Sequence, residues 1–276
     1  MKTYVLYHKN CFDGFCSAWV AKQALEDAIY IPIAYGEPVP EMEDGSTIYL
    51  LDFSFSRQIL QQLNFSSKKL VVLDHHKTAQ EACDGLDFCI FDMDRSGATL
   101  TWDYFFPGKL RPTIVAYTED RDLWRFALPS SKEIFEYVAS FPFDFAEWNT
   151  LAENLDTDVG FEQAVLEGKA ILRYVNQKVE MACKDAFIGT LDGHDVPIVN
   201  VPYTMGSDCG HRLLELYPNA PFAAYYFVRG DGQQQWGLRG RDSNDFDVST
   251  VAKKMGGGGH KKASGFEILV TKEMKA

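Results

Sequence analysis

Two of the six histidines in this chain of 276 residues stand side by side, behind an aspartate, in Asp74-His75-His76. An acid and two imidazoles are groups that ligate divalent cations or move protons near neutral pH. The same half of the chain carries His8, Asp13, Asp52 and the run Glu119-Asp120-Arg121-Asp122. Two hard cations about 4 Å apart suit in-line attack on phosphorus, and they need shared carboxylates and a few imidazoles on a rigid edge. Asp52 is the expected bridge between them, with a water that ionises near neutral pH as the nucleophile. An imidazole not needed as a ligand contacts the phosphate or protonates the leaving oxygen.

Those residues follow short apolar runs. Residues 70–73, Leu-Val-Val-Leu, empty directly into Asp74, and residues 47–51 run straight into Asp52. A strand over 3–7 ends in a polar turn that holds His8 and Asp13, and a helix is expected over 15–25. With a further strand over 29–33, this pattern predicts a parallel α/β sheet, which binds its ligands outside the carboxyl ends of its strands. His8, Asp13, Asp52, Asp74, His75 and His76 then share one edge. Residues 113–118 form a helix or strand leading into the acidic run, which offers one more ligand.

Periodicity predicts helices over 130–186, the last spanning 161–187 as a connector. From 188 the pattern changes to strands over 196–201 and 222–228. Arg229-Gly230-Asp231-Gly232 makes a hairpin turn into a strand over 234–239, and residues 266–270 close a sheet.

Composition narrows the function classes. The chain is 46% apolar and 24% charged, ordinary for a globular protein with room for two domains. A net charge of −12 disfavours a binder of long duplex nucleic acid, which normally shows a basic face. The six cysteines lack CxxC spacing, so reduced thiols in a cytoplasmic protein are expected, and no apolar run is long enough for a membrane span. Oligomeric state, a homodimer included, is open. A local basic patch near the C-terminus can meet a small phosphate ligand. Gly256-Gly257-Gly258-Gly259 lets the backbone turn tightly and bring amides against an anion, His260, Lys261 and Lys262 follow, and Arg239 and Arg241 can grip phosphate oxygens.

Asp74-His75-His76 after a strand, with Gly256-Gly257-Gly258-Gly259-His260-Lys261-Lys262-Ala263 near the C-terminus, resembles the DHH/DHHA1 phosphoesterases, a family that includes oligoribonucleases of the nanoRNase type. The resemblance implies a metal-binding catalytic DHH domain (1–128), a helical connector (129–187) and a smaller α/β DHHA1 domain that binds substrate (188–276). By the same resemblance His8, Asp13, Asp52, His75 and Asp120 match metal ligands, with Asp122 competing for the role of Asp120. His76, with Asp74 beside it, matches the catalytic imidazole. Gly257, Gly258, Gly259, His260, Arg239 and Arg241 match the part that holds the nucleotide. The implied cofactor is one or two Mn²⁺, with Mg²⁺ or Co²⁺ as substitutes.

One departure stands out: Cys11 occupies a position where the family carries an aspartate. A thiolate is a poor partner for Mn²⁺ or Mg²⁺, so the metal site near His8 is expected to be weak and filled only with substrate, unless Asp92 or Asp94 replaces the missing carboxylate. The leading function is a phosphodiesterase that cleaves short oligonucleotides or linear dinucleotides to 5′-mononucleotides. Cyclic dinucleotides and 3′-phosphonucleotides are alternative substrates within that class. A non-catalytic nucleotide- or RNA-binding module is the alternative from another class.

Overall fold

The computed structural model describes residues 1–269. It divides into two compact units, Met1–Leu172 and Arg173–Ala276. In the first unit the elements run β1 (Thr3–His8), α1 (Phe12–Ala24), β2 (Ile29–Ile33), β3 (Thr47–Leu51), α2 (Arg57–Ser66), β4 (Lys69–Asp74), α3 (Lys77–Cys83), β5 (Cys89–Phe91), α4 (Gly97–Phe105), α5 (Thr113–Asp122), α6 (Ser131–Ala139) and α7 (Phe145–Leu155). Helix α8 (Asp158–Cys183) carries the chain across the division.

The five strands form one parallel sheet in the order β2-β1-β3-β4-β5. Its central strands read as unbroken apolar runs because both faces are covered. Alternate residues point to opposite faces. Tyr4, Leu6, Ile48, Leu50, Leu70 and Val72 pack with Leu60 and Leu63 of α2, whereas Val5, Tyr49, Leu51, Val71 and Leu73 pack with Ala21 of α1 and Leu100 of α4. A separate helical core gathers Trp19, Trp102, Ile114, Ile134 and Trp148 from α1 and α4 to α7.

The second unit contains the end of α8, β6 (Phe187–Leu191), β7 (His194–Asn200), α9 (Gly206–Leu216), β8 (Phe222–Val228), β9 (Gln233–Gly240), α10 (Val248–Lys254), β10 (Gly258–Gly259) and β11 (Ala263–Leu269). These strands make a mixed sheet in the order β10-β11-β9-β8-β7-β6, in which only β7 and β8 run parallel. Period-two alternation again divides the faces: Ala223 and Tyr225 pack with Leu213 of α9, and Phe222 and Ala224 with Val251 of α10.

The α/β class, the parallel first sheet and the second sheet match expectation, as does the hairpin of β8 and β9. The segment 113–118, open between helix and strand, is the start of α5. The expected end of the last strand at Val270 lies outside the described residues. All six cysteines are free thiols, and no helix among the described residues is long and apolar enough to cross a membrane.

Leu50 is fully buried in the centre of the first sheet. Leu50→Ala is expected to cost about 2–5 kcal/mol through lost burial and a residual cavity, measured by urea denaturation. A cost below about 1 kcal/mol would show that the sheet is not packed as described.

Candidate metal centre

Register explains why the chemical residues meet. Tyr7 of β1 pairs with Leu51 of β3, and Leu51 pairs with Leu73 of β4. The next residue along each strand is therefore His8, Asp52 or Asp74, so three adjacent strands deliver three polar side chains at one level. His75 and His76 follow Asp74, and Asp13 enters from the first turn of α1.

Asp52 lies at the centre and is 1% exposed. Its Oδ1 is 3.1 Å from His75 Nε2 and 3.8 Å from His76 Nδ1, and its Oδ2 is 3.4 Å from His8 Nδ1. His75 Nε2 also lies 3.5 Å from Asp13 Oδ2 and 3.6 Å from Asp122 Oδ2. Two groups of donor atoms result, Asp13-Asp52-His75 and His8-Asp52-His76, each within 4.8 Å. Asp52 belongs to both.

The backbone is adapted to this convergence. Asp52 adopts a left-handed φ of 54°, a conformation that aspartate tolerates better than most side chains, and its N–H donates to Leu73 O at 2.8 Å. Gly97, at the start of α4, approaches so closely that a Cβ there would stand 2.5 Å from Asp52 Cβ and 2.9 Å from Asp52 Cα. That approach lets the Gly97 and Ala98 N–H groups donate to Asp13 Oδ2 and Oδ1 at 2.6 and 2.9 Å. The helix N-terminus thus holds the Asp13 carboxylate.

Asp74 has an orienting position. Its Oδ1 accepts from His75 N–H at 2.7 Å and His76 N–H at 3.1 Å, and it meets His76 Nδ1 at 2.8 Å. A carboxylate on Nδ1 fixes the ring and assigns proton transfer to Nε2. His76 is also within reach of His8 and Asp52, so its position suits a ligand as well as a proton donor.

The electrostatics favour a cation. Burial works against ionisation of Asp52, but His75 and His8 beside it and the charge of His76 hold its carboxyl well below the usual range. Burial, with repulsion from Asp52 and Asp122, pushes Asp13 well above that range. Burial likewise raises Asp122, against the pull of His75. His75 is itself held up at about 10: desolvation opposes its charge, and Asp52, Asp122 and Asp13 outweigh it. Carboxylates packed this closely cannot all ionise without added positive charge. His8 Nδ1 and Asp52 Oδ2 are buried and have no hydrogen-bond partner among the described residues. Carboxylate oxygens and imidazole nitrogens with unused lone pairs fit Mn²⁺ or Mg²⁺ better than they fit one another.

The structure separates the two candidates on α5. Asp120 is buried and turned to the following loop, where its Oδ1 and Oδ2 accept from Ala127 N–H and Leu128 N–H at 2.9 and 3.2 Å. It does not join the cluster, whereas Asp122 does. Cys11, beside the cluster at the N-cap of α1, keeps its proton because burial and the charges of Asp52, Asp122 and Asp13 push its thiol well up. Neither Asp92 nor Asp94 appears in a donor group among the described residues. Asp92 Oδ1 instead accepts from Asp94 N–H.

The second unit uses several of its candidates internally. Arg239 Nη2 donates to Ser207 Oγ at 2.6 Å and to Tyr225 Oη at 3.2 Å. Arg241 Nη2 donates to the Leu214 and Tyr217 carbonyls at the end of α9, at 2.6 and 2.9 Å. In the glycine run and the His260 that follows it, Gly256, Gly257 and His260 donate their N–H groups to the carbonyls of Lys253, Ala252 and Ala263, and Gly258 and Gly259 pair with Gly265 and Ser264 as β10. The run is therefore part of a sheet edge, with two of its amides and that of His260 already taken, rather than an open nest.

Asp122→Asn is expected to weaken Mn²⁺ binding at least about tenfold. Asp120→Asn leaves Mn²⁺ affinity unchanged and costs about 1.5–3 kcal/mol by loosening the loop after α5. Calorimetric titration with Mn²⁺ and thermal melts of both variants check this; the reverse pattern would exchange the two roles.

No family model matches the chain. An uncharacterized protein, R106 of Acanthamoeba polyphaga mimivirus, is 32% identical over 287 residues, 95% of this chain and 66% of that protein. Oligoribonuclease NrnB of Bacillus subtilis (strain 168) is 27% identical over 301 residues, 96% of this chain and 73% of NrnB. The chain thus spans about two thirds of the length of the curated relatives it matches. Among solved structures, RecJ of Thermus thermophilus in complex with Mn²⁺ has a similar fold, with a TM-score of 0.52 at 15% identity over 97% of this chain and 49% of RecJ. The Asp74-His75-His76 motif thus stands at the edge of a sheet in a chain whose fold is similar to that of RecJ and whose sequence is similar to that of an oligoribonuclease.

Proposed function

We propose that the protein is a divalent-cation-dependent phosphodiesterase that cleaves short oligonucleotides or linear dinucleotides to 5′-mononucleotides. The observation that carries this reading is one buried carboxylate, Asp52, shared between the Asp13-Asp52-His75 donor group and the neighbouring His8. Asp122 Oδ2 lies 3.6 Å from His75 Nε2, beside that group. A bound Mn²⁺ would supply Lewis acidity toward a phosphoryl oxygen and make an attacking water more acidic; Mg²⁺ or Co²⁺ would serve less specifically.

Asp74 holds His76 by Nδ1, and His76 Nε2 delivers a proton to the leaving ribose oxygen. The apolar core behind Asp52 keeps that edge rigid and excludes water from the back of the site. In the second unit Arg239, with His260 and the glycine run, is assigned to the nucleotide, while Arg241 anchors α9. Short substrates are favoured by the net charge of −12, which opposes a long polyanion. The oligoribonuclease relative and the Mn²⁺-bound structural neighbour support the same reaction class.

The test is incubation of the full chain with Mn²⁺ and an end-labelled linear dinucleotide. Mononucleotide is the expected product, and His76→Ala should lower kcat at least about 100-fold. Turnover that survives in His76→Ala would remove the proton-transfer assignment. Wild-type protein that binds dinucleotide, cyclic dinucleotide and 3′-phosphonucleotide but cleaves none of them with Mn²⁺, Mg²⁺ or Co²⁺ would make the chain a binding module.

A further inference from the structure

After β2 the chain reverses through Ala34-Tyr35-Gly36-Glu37. Glu37 N–H donates to Ala34 O at 3.1 Å and Gly36 has φ +86°, so this is a tight turn that needs glycine at its third position and displays Tyr35 at its second. The turn is tied down on both sides. Glu37 Oε2 accepts from Ala34 N–H at 3.0 Å, Glu37 Oε1 accepts from Lys9 Nζ at 2.7 Å, and Lys9 N–H donates to Ile33 O at 2.9 Å.

Tyr35 is 48% exposed, yet its ring belongs to the metal centre. The centroid is 5.3 Å from that of His8 and 5.9 Å from that of His76, with interplanar angles of 74° and 75°, and 4.8 Å from Phe53. One side of the ring thus leans on two imidazoles of the cluster while the remainder faces solvent. A large aromatic held in place with surface uncovered beside phosphate-directed groups offers a platform for a flat apolar partner. A nucleobase, one ribose away from its phosphate, is such a partner, and every base has a π-face that can stack.

We propose that Tyr35 is a substrate-contacting residue whose ring stacks on the nucleobase next to the scissile phosphate. The proposal rests on the phosphodiesterase reading above and identifies the part of the substrate that the first unit recognises. Stacking needs the ring and not the hydroxyl, which separates it from a hydrogen-bonding or proton-transfer role. It also needs a base on the substrate, which separates it from simple packing against Phe53.

The experiment compares wild type, Tyr35→Phe, Tyr35→Trp and Tyr35→Ala with Mn²⁺ on a linear dinucleotide and on the same dinucleotide with abasic sites. Tyr35→Ala is expected to raise KM for the base-bearing substrate about tenfold, the order of one lost stacking contact, with kcat changed less than about twofold. Tyr35→Phe and Tyr35→Trp should stay near wild type, the abasic substrate should not distinguish the variants, and Mn²⁺ titration should give one affinity for all four proteins. An unchanged KM in Tyr35→Ala, an equal loss on the abasic substrate, a loss in Tyr35→Phe matching that in Tyr35→Ala, or weakened Mn²⁺ binding in Tyr35→Ala would each overturn it. Anisotropy of a labelled, phosphorothioate-linked dinucleotide reads the same difference as binding. If wild type fails to cleave but Tyr35→Ala still binds about tenfold more weakly, the enzyme reading fails and the stacking contact stands.

Discussion

Asp52 carries a negative charge in a place where water cannot solvate it. A buried carboxylate is costly unless it is paired, and two further buried or partly buried carboxylates, Asp13 and Asp122, approach the same imidazole. The rest of the first unit follows from that requirement. Three imidazoles surround Asp52, helix α4 points its N-terminus at Asp13, and His8 Nδ1 and Asp52 Oδ2 face each other at 3.4 Å without a hydrogen bond among the described residues. A site built this way is stable as a place for positive charge.

The parallel sheet makes that arrangement possible because it is buried on both faces and cannot slide. A register slip of one residue in β3 would move Asp52 off the level of His8 and Asp74 and turn its side chain to the other face. The close approach of Gly97 to Asp52 shows how little space is left. Rigidity of this kind matters for a centre whose donor atoms must stay within a few tenths of an ångström of a cation's preferred distances.

Much of this was legible in the sequence. Continuous apolar runs ending in Asp52 and Asp74 predict buried parallel strands and an edge with chemistry, and the turn after β1 adds His8 and Asp13. The choice between Asp120 and Asp122 was not legible. Two helical residues two apart point about 200° away from each other, so only one can face the cluster, and which one depends on how α5 is rotated by its packing. The contacts that Arg241 and the glycine run make within the fold were not legible for a related reason. A guanidinium that can grip phosphate can equally hold the carbonyls at the end of a helix, and glycine amides that can cradle an anion can equally join a sheet. Local composition does not say which partner is nearer.

In the proposed centre Asp52 is shared between two cation sites, the one near His8 being the weaker because Cys11 supplies no hard ligand. Electron paramagnetic resonance of the full chain titrated with Mn²⁺ in the presence of a 5′-mononucleotide reads that sharing. A second equivalent of Mn²⁺ should bind with nucleotide and show exchange coupling to the first, and the coupling should be lost in Asp52→Asn. Two uncoupled ions, or an Asp52→Asn protein that keeps the coupled signal, would contradict a shared carboxylate.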